Sequence, residues 1–252
     1  MDKVRQDVIL LVAVVLIGLG LLNIGYRDSL MTWQPFPDGA AGRALFAYLS
    51  GAVLILSGAG MLIPAWRTGA AAVAASWLAL GAIVFHLPHI VKAHDVAALL
   101  GLAEASACAL GLATLTGWFD TRPRANAHRL GFGLCLLVFG ISHFVYAGFT
   151  AAMVPAWLPQ RLGIAYLTGA IHILTGLALL AGLRVRTAAT IEALMMSSFV
   201  LLLHIPGVIA APHDRLQLTM LGMASLLTCA AWLVASSRAL PGGGLLSRRA
   251  PS

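Results

Sequence analysis

Eight apolar runs follow one another along the chain, separated by short segments that carry the charge. They cover 8–26, 44–63, 68–91, 96–119, 130–150, 162–183, 187–211 and 216–237. Each supplies the roughly 20 residues needed to cross a hydrocarbon core of about 30 Å. The runs are continuous rather than alternating, which predicts helices and argues against the period-two strands of a barrel. None of the 16 Lys and Arg falls inside them. The predicted fold is all-α, an eight-helix membrane protein. Lys3 and Arg5 precede the first run as in a secretory signal, but no small-residue cleavage site follows it, so it reads as a retained helix.

The runs are not independent of one another. The stretch AYLSGAVLILSGAGML, from Ala47, returns 118 residues later as AYLTGAIHILTGLALL, from Ala165, with nine of sixteen positions identical. Around this core Asn23 corresponds to His143, Tyr26 to Tyr146, Arg67 to Arg186, His86-Leu87-Pro88 to His204-Ile205-Pro206, and His94-Asp95 to His213-Asp214. The chain reads as a duplication: a first four-helix repeat over 1–119, a linker at 120–129, a second repeat over 130–237 and a disordered tail at 238–252. An even number of crossings per repeat predicts parallel repeats, related by an axis along the membrane normal.

Composition agrees, with 60% hydrophobic and only 10% charged residues against about a quarter charged in soluble domains. The net charge of +7 is a topology signal. Eleven basic residues lie at the N-terminus, in alternate loops and in the tail, against five on the other face: Arg27, Arg43, Lys92, Arg161 and Arg215. The positive-inside rule then expects both termini to be cytoplasmic in a bacterial inner membrane. The partner implied is the lipid bilayer, not nucleic acid. Cys108, Cys135 and Cys229 all lie inside runs and form no C-x-x-C pair, so they read as packing residues.

Ionisable residues inside a membrane span are the first place to look for function. His143, His172 and His204 come from three different runs of the second repeat and, at about 1.5 Å per residue, fall within a band roughly 10 Å deep. Thr168 and Thr175 share a helical face with His172, and Tyr146 follows His143 by three. These residues read either as one ligand site or as histidines that bridge helices. Glu104 lies deep in its run and is the better candidate for proton handling. Glu192 sits near the cytoplasmic end of its run and reads as reaching water or the Arg184–Arg186 loop. His86 and His89, three apart, have the spacing of two metal ligands. Haem held by two of the three second-repeat histidines is a further alternative. Trp157, in a loop with Pro155 and Pro159, reads as an interfacial anchor or as a lid over an amphipathic ligand.

The second repeat resembles the DoxX-like family of small four-helix membrane proteins. The resemblance rests on the Gly140–Tyr146 segment, the Met153-Val154-Pro155-Ala156-Trp157-Leu158-Pro159 loop, Tyr166-Leu167-Thr168-Gly169, and Gly176-Leu177-Ala178-Leu179-Leu180. It implies a four-helix bundle per repeat and, since some members are linked to quinone-reducing or quinol-oxidising complexes such as thiosulfate:quinone oxidoreductase, a quinone as ligand and a redox partner subunit. No catalytic residue set comes with it. The expectation is a redox-associated membrane subunit that binds a quinone or similar lipophilic ligand in the outer half of the bundle. The alternatives are a small-solute transporter or channel, and a non-catalytic scaffold.

Overall fold

The computed structural model describes residues 2–37 and 39–237. Eight long apolar helices make it a multi-pass membrane protein: α1 (Asp2–Tyr26), α2 (Arg43–Leu62), α3 (Arg67–Ala93), α4 (Val96–Ala113), α5 (Arg122–Val145), α6 (Arg161–Ala181), α7 (Val185–Ala210) and α8 (Arg215–Ala235). There is no strand among the described residues. The expected disordered tail lies outside them.

Helix contacts close a ring. Each helix packs on the next, α8 returns to α1, and α4 meets α8 across the middle. Small residues allow close approaches: a Cβ on Gly20 would lie 2.6 Å from the Gly51 carbonyl oxygen, and one on Gly140 would lie 2.7 Å from that of Gly169. The α1–α2 and α5–α6 crossings thus use equivalent glycines. Across the seam the Tyr26 hydroxyl donates to the His213 carbonyl (3.4 Å), while the equivalent Tyr146 hydroxyl accepts from the Ala97 N–H (3.1 Å).

Several boundaries differ from the apolar runs. The fourth helix stops at Ala113 rather than 119, because the Thr114 and Thr116 hydroxyls turn back to the Gly111 and Ala113 carbonyls (both 2.8 Å) and Gly117 takes a positive φ of 72°. The expected linker is helical from Arg122, with Pro123 in the first turn, where its missing N–H costs nothing. Val145 ends α5, and a separate short helix, Ala147–Met153, completes the fifth run. The two His-Asp pairs are helix junctions. Asp95 accepts from the Ala98 N–H (2.8 Å) and Asp214 from the Leu216 N–H (2.7 Å), capping α4 and α8.

Pro88 and its counterpart Pro206 are accommodated in the same way in both repeats. A π-helical turn occupies Ala82–His86 in α3 and Val200–His204 in α7. Pro88 and Pro206 each lack the N–H that would bond four residues back, and the wider turn absorbs the gap.

At the opposite end from the basic loops, Asp28 ties three segments together. It meets Arg43 at 2.7 Å and Arg215 at 2.9 Å. Its partial burial would raise the carboxyl pKa, but the two guanidiniums outweigh this and hold it below its ordinary value.

Candidate functional site

The second repeat buries a carboxylate against a histidine. His172 of α6 and Glu192 of α7 approach to 2.7 Å between Nδ1 and Oε1, with 1% and 0% of their side chains exposed. The Thr175 hydroxyl, one turn along α6, donates to the other carboxylate oxygen at 2.8 Å, with the Ile171 carbonyl at 2.8 Å as its alternative acceptor. His143 of α5 completes the cluster, its ring centroid 4.9 Å from that of His172 and tilted by 55°. Phe139 presents an edge to His172 at 5.7 Å, and Phe199 of α7 lies 6.2 Å from both imidazoles. Gly169 makes this possible: a Cβ there would sit 2.8 Å from that of His143.

Hydrogen bonding fixes where the protons are. A carbonyl can only accept, and His143 Nδ1 lies 2.8 Å from the Phe139 carbonyl, so Nδ1 carries the hydrogen. In the neutral ring Nε2 is then a bare acceptor. The His172–Glu192 approach is oblique, off ideal hydrogen-bond alignment. Two lone pairs would nevertheless repel at 2.7 Å, so a proton lies between them. With that proton on Nδ1, the carboxylate orients His172 as the buried acid orients histidine in other carboxylate–imidazole pairs.

Two of the three expected histidines therefore meet, and the third does not join them. His204 is buried, at 8% exposure, but among the described residues it makes no hydrogen bond and no ring contact. Its place is taken by Glu192, and the reading of Glu192 as reaching water or the arginine loop is wrong. Distance to a helix end does not say which face a residue occupies, and Glu192 faces α6.

The other candidates lie elsewhere. The Thr168 hydroxyl returns to its own helix at the Ile164 and Ala165 carbonyls (both 3.0 Å). Tyr146 serves the seam between the repeats. Trp157 is 71% exposed and covers nothing, as suits an interfacial anchor. Glu104 is half-buried beside the indole of Trp33. His86 turns inward with Nε2 3.2 Å from the Trp33 carbonyl, whereas His89 is exposed. No group of three metal-ligating side chains forms among the described residues. The His143 and His172 rings touch, leaving no space for a porphyrin between them.

The first repeat has no equivalent site. Leu54 stands where His172 is, Ala74 where Glu192 is, and Ser57 where Thr175 is. All three are buried, and among the described residues the Ser57 hydroxyl has no hydrogen-bond partner. Asn23, in the place of His143, donates to Gln34 (3.1 Å), whose own amide donates to Ser50 (2.8 Å). This comparison held the missed signal, because aligning the repeats on His86 and His204 puts Glu192 on a small apolar position that must face the core.

Two recesses, of about 380 and 260 Å³, lie between α2 and α3 on either side of Trp77, and neither touches the histidine cluster.

A family described as Domain of unknown function (DUF8561) matches residues 132–235, from the third turn of α5 to the end of α8. No curated protein and no solved structure matches the chain.

Proposed function

We propose that the chain is a redox-associated membrane subunit whose second repeat binds a lipophilic hydrogen carrier of the quinone class at His143. The supporting observation is the contact of two imidazoles at 4.9 Å, backed by a fully buried carboxylate at 2.7 Å. His143 is half-buried and presents a bare Nε2, so it is the member of the cluster to which a ligand hydroxyl can donate, and once protonated it can donate in turn to a ligand carbonyl. A quinone supplies reversible uptake of electrons and protons, and its ring oxygens need a partner that both accepts and returns a proton. The resemblance to the DoxX-like family supports the same class of ligand. His172 orients behind His143, and Glu192 sets the charge that a protonated ring would face. Orientation with the basic loops and both termini on the cytoplasmic side puts His143 toward the outer face.

The test is calorimetric titration of the purified protein with a short-chain benzoquinone and its quinol. Saturable binding is expected, and His143→Ala should weaken it about tenfold or more, equivalent to roughly 1.4 kcal/mol. Absent binding, or equal affinity in the variant, would sink the proposal.

A second reading, proton-coupled transport of a small solute, is favoured by the paired π-helical turns. Interrupted helices in matching places of two repeats are a recurring feature of transporters. Uptake into proteoliposomes driven by a pH gradient would separate it from the first.

A further inference from the structure

We infer that Glu192, His172 and His143 hold one mobile proton in the middle of the membrane, with the two imidazoles as its alternative positions and Glu192 as its fixed counter-charge. This deepens the reading above and rests on it only for what finally receives the proton.

The geometry is a ladder. Glu192 lies seven residues inside α7 from Val185, about 10 Å from that end. His172 lies nine residues before Ala181 at the same end of α6, about 14 Å in. His143 sits beside Gly169, twelve residues before Ala181 and about 18 Å in. The rungs are therefore spaced by about 4 Å, and exposure rises along them from the fully buried Glu192 to the half-buried His143.

Charge decides the occupancy. A lone carboxylate, or a lone imidazolium, would be costly at a site with no exposed surface, whereas the pair with one added proton is neutral overall. With that proton on His172, both carboxylate oxygens are answered, Oε1 by the imidazolium and Oε2 by the Thr175 hydroxyl. The Thr175 hydroxyl lies 2.8 Å from Oε2, within donating distance of a carboxylate there.

Transfer conserves every atom. The N–H bond at His172 Nε2 breaks as one forms at the bare Nε2 of His143. His172 keeps its Nδ1 hydrogen, and His143 becomes the cation with its Nδ1–H still on the Phe139 carbonyl. Glu192 remains ionised throughout, so the net charge of the cluster is zero before and after. The groups that face this proton are His143 from α5, His172 and Thr175 from α6, and Glu192 from α7. Glu192 acts through His172 and is a positioning residue.

The full chain, labelled with ¹⁵N-histidine and ¹³C-glutamate and reconstituted in liposomes without any quinone, provides the test by solid-state NMR at pH 7. The chain has only two glutamates, Glu104 and Glu192, so the carboxyl region is readable. Among the signals of the eight histidines, the expected spectrum shows a doubly protonated imidazole that is lost in His172→Leu, together with an ionised Glu192. In Glu192→Gln both rings should become neutral, while Glu192→Asp retains the cation. Two neutral rings beside a protonated Glu192 in the wild-type spectrum would overturn the inference, and so would a cation that survives Glu192→Gln. The wild-type spectrum decides by itself if a variant does not fold. Because no quinone is present, failure of the ligand proposal and failure of this one are separate outcomes.

Discussion

Glu192 is fully buried, so removing the imidazole beside it strands a carboxylate away from solvent. His172→Leu looks mild from the repeat, since Leu54 fills the same place, but it should cost about 3–5 kcal/mol, the range for breaking one side of a buried pair. The double change His172→Leu with Glu192→Ala recreates the Leu54–Ala74 pair and should recover most of that loss. Thermal unfolding in detergent would measure both, and additive losses would mean that the pair is not coupled. The sequence disclosed His143 and His172 because polar residues in apolar runs are conspicuous, and Thr175 because it shares a helical face with His172. Glu192 was no less conspicuous, but its face was not readable from its distance to the end of the run. His204 had the right depth and the wrong direction, which periodicity along one helix cannot reveal.

Helices α5 and α6 hold their histidines in register because glycine lets the backbones touch. A Cβ on Gly140 would meet Ile173 Cγ1 at 2.5 Å and the Gly169 carbonyl at 2.7 Å, and the backbone atom cannot step aside. Gly140→Val should therefore push the helices apart, cost about 1–3 kcal/mol and weaken ligand binding along with stability. Gly148→Ala, with nothing within 4 Å of the added carbon, is the control and should melt like the parent. Eight apolar runs are enough to read eight helices, because backbone groups in hydrocarbon must be satisfied within the helix. The π-helical turns were legible only as far as the prolines went. Pro88 and Pro206 announce a lost hydrogen bond, but whether the helix kinks, breaks or widens depends on what packs against it.

For the whole molecule, the internal repeat carried more than any motif. It matches Gly20 to Gly140 and Gly51 to Gly169, the glycines at the α1–α2 and α5–α6 crossings, and the seam shows the same tyrosine used from each side, Tyr26 toward His213 and Tyr146 toward Ala97. The uneven basic residues make sidedness testable: reporter fusions within 121–126 should read cytoplasmic, and fusions within 153–160 should read from the opposite face. A reversed pattern would invert the orientation and turn the His143 end of the cluster toward the cytoplasmic face. The sequence already said that the two repeats differ in chemistry, with Asn23 in the place of His143 and Leu54 in that of His172, but not which side chains meet between helices. Ser57 marks the difference. Among the described residues its hydroxyl is buried with no hydrogen-bond partner, a cost on the order of 1 kcal/mol or more. It occupies the place where Thr175 serves Glu192, while Leu54 and Ala74 stand in the places of the imidazole and the carboxylate. The first repeat is raw material: Leu54→His with Ala74→Glu would place an imidazole and a carboxylate beside a hydroxyl already waiting for them, giving laboratory evolution a short route to a molecule with two sites.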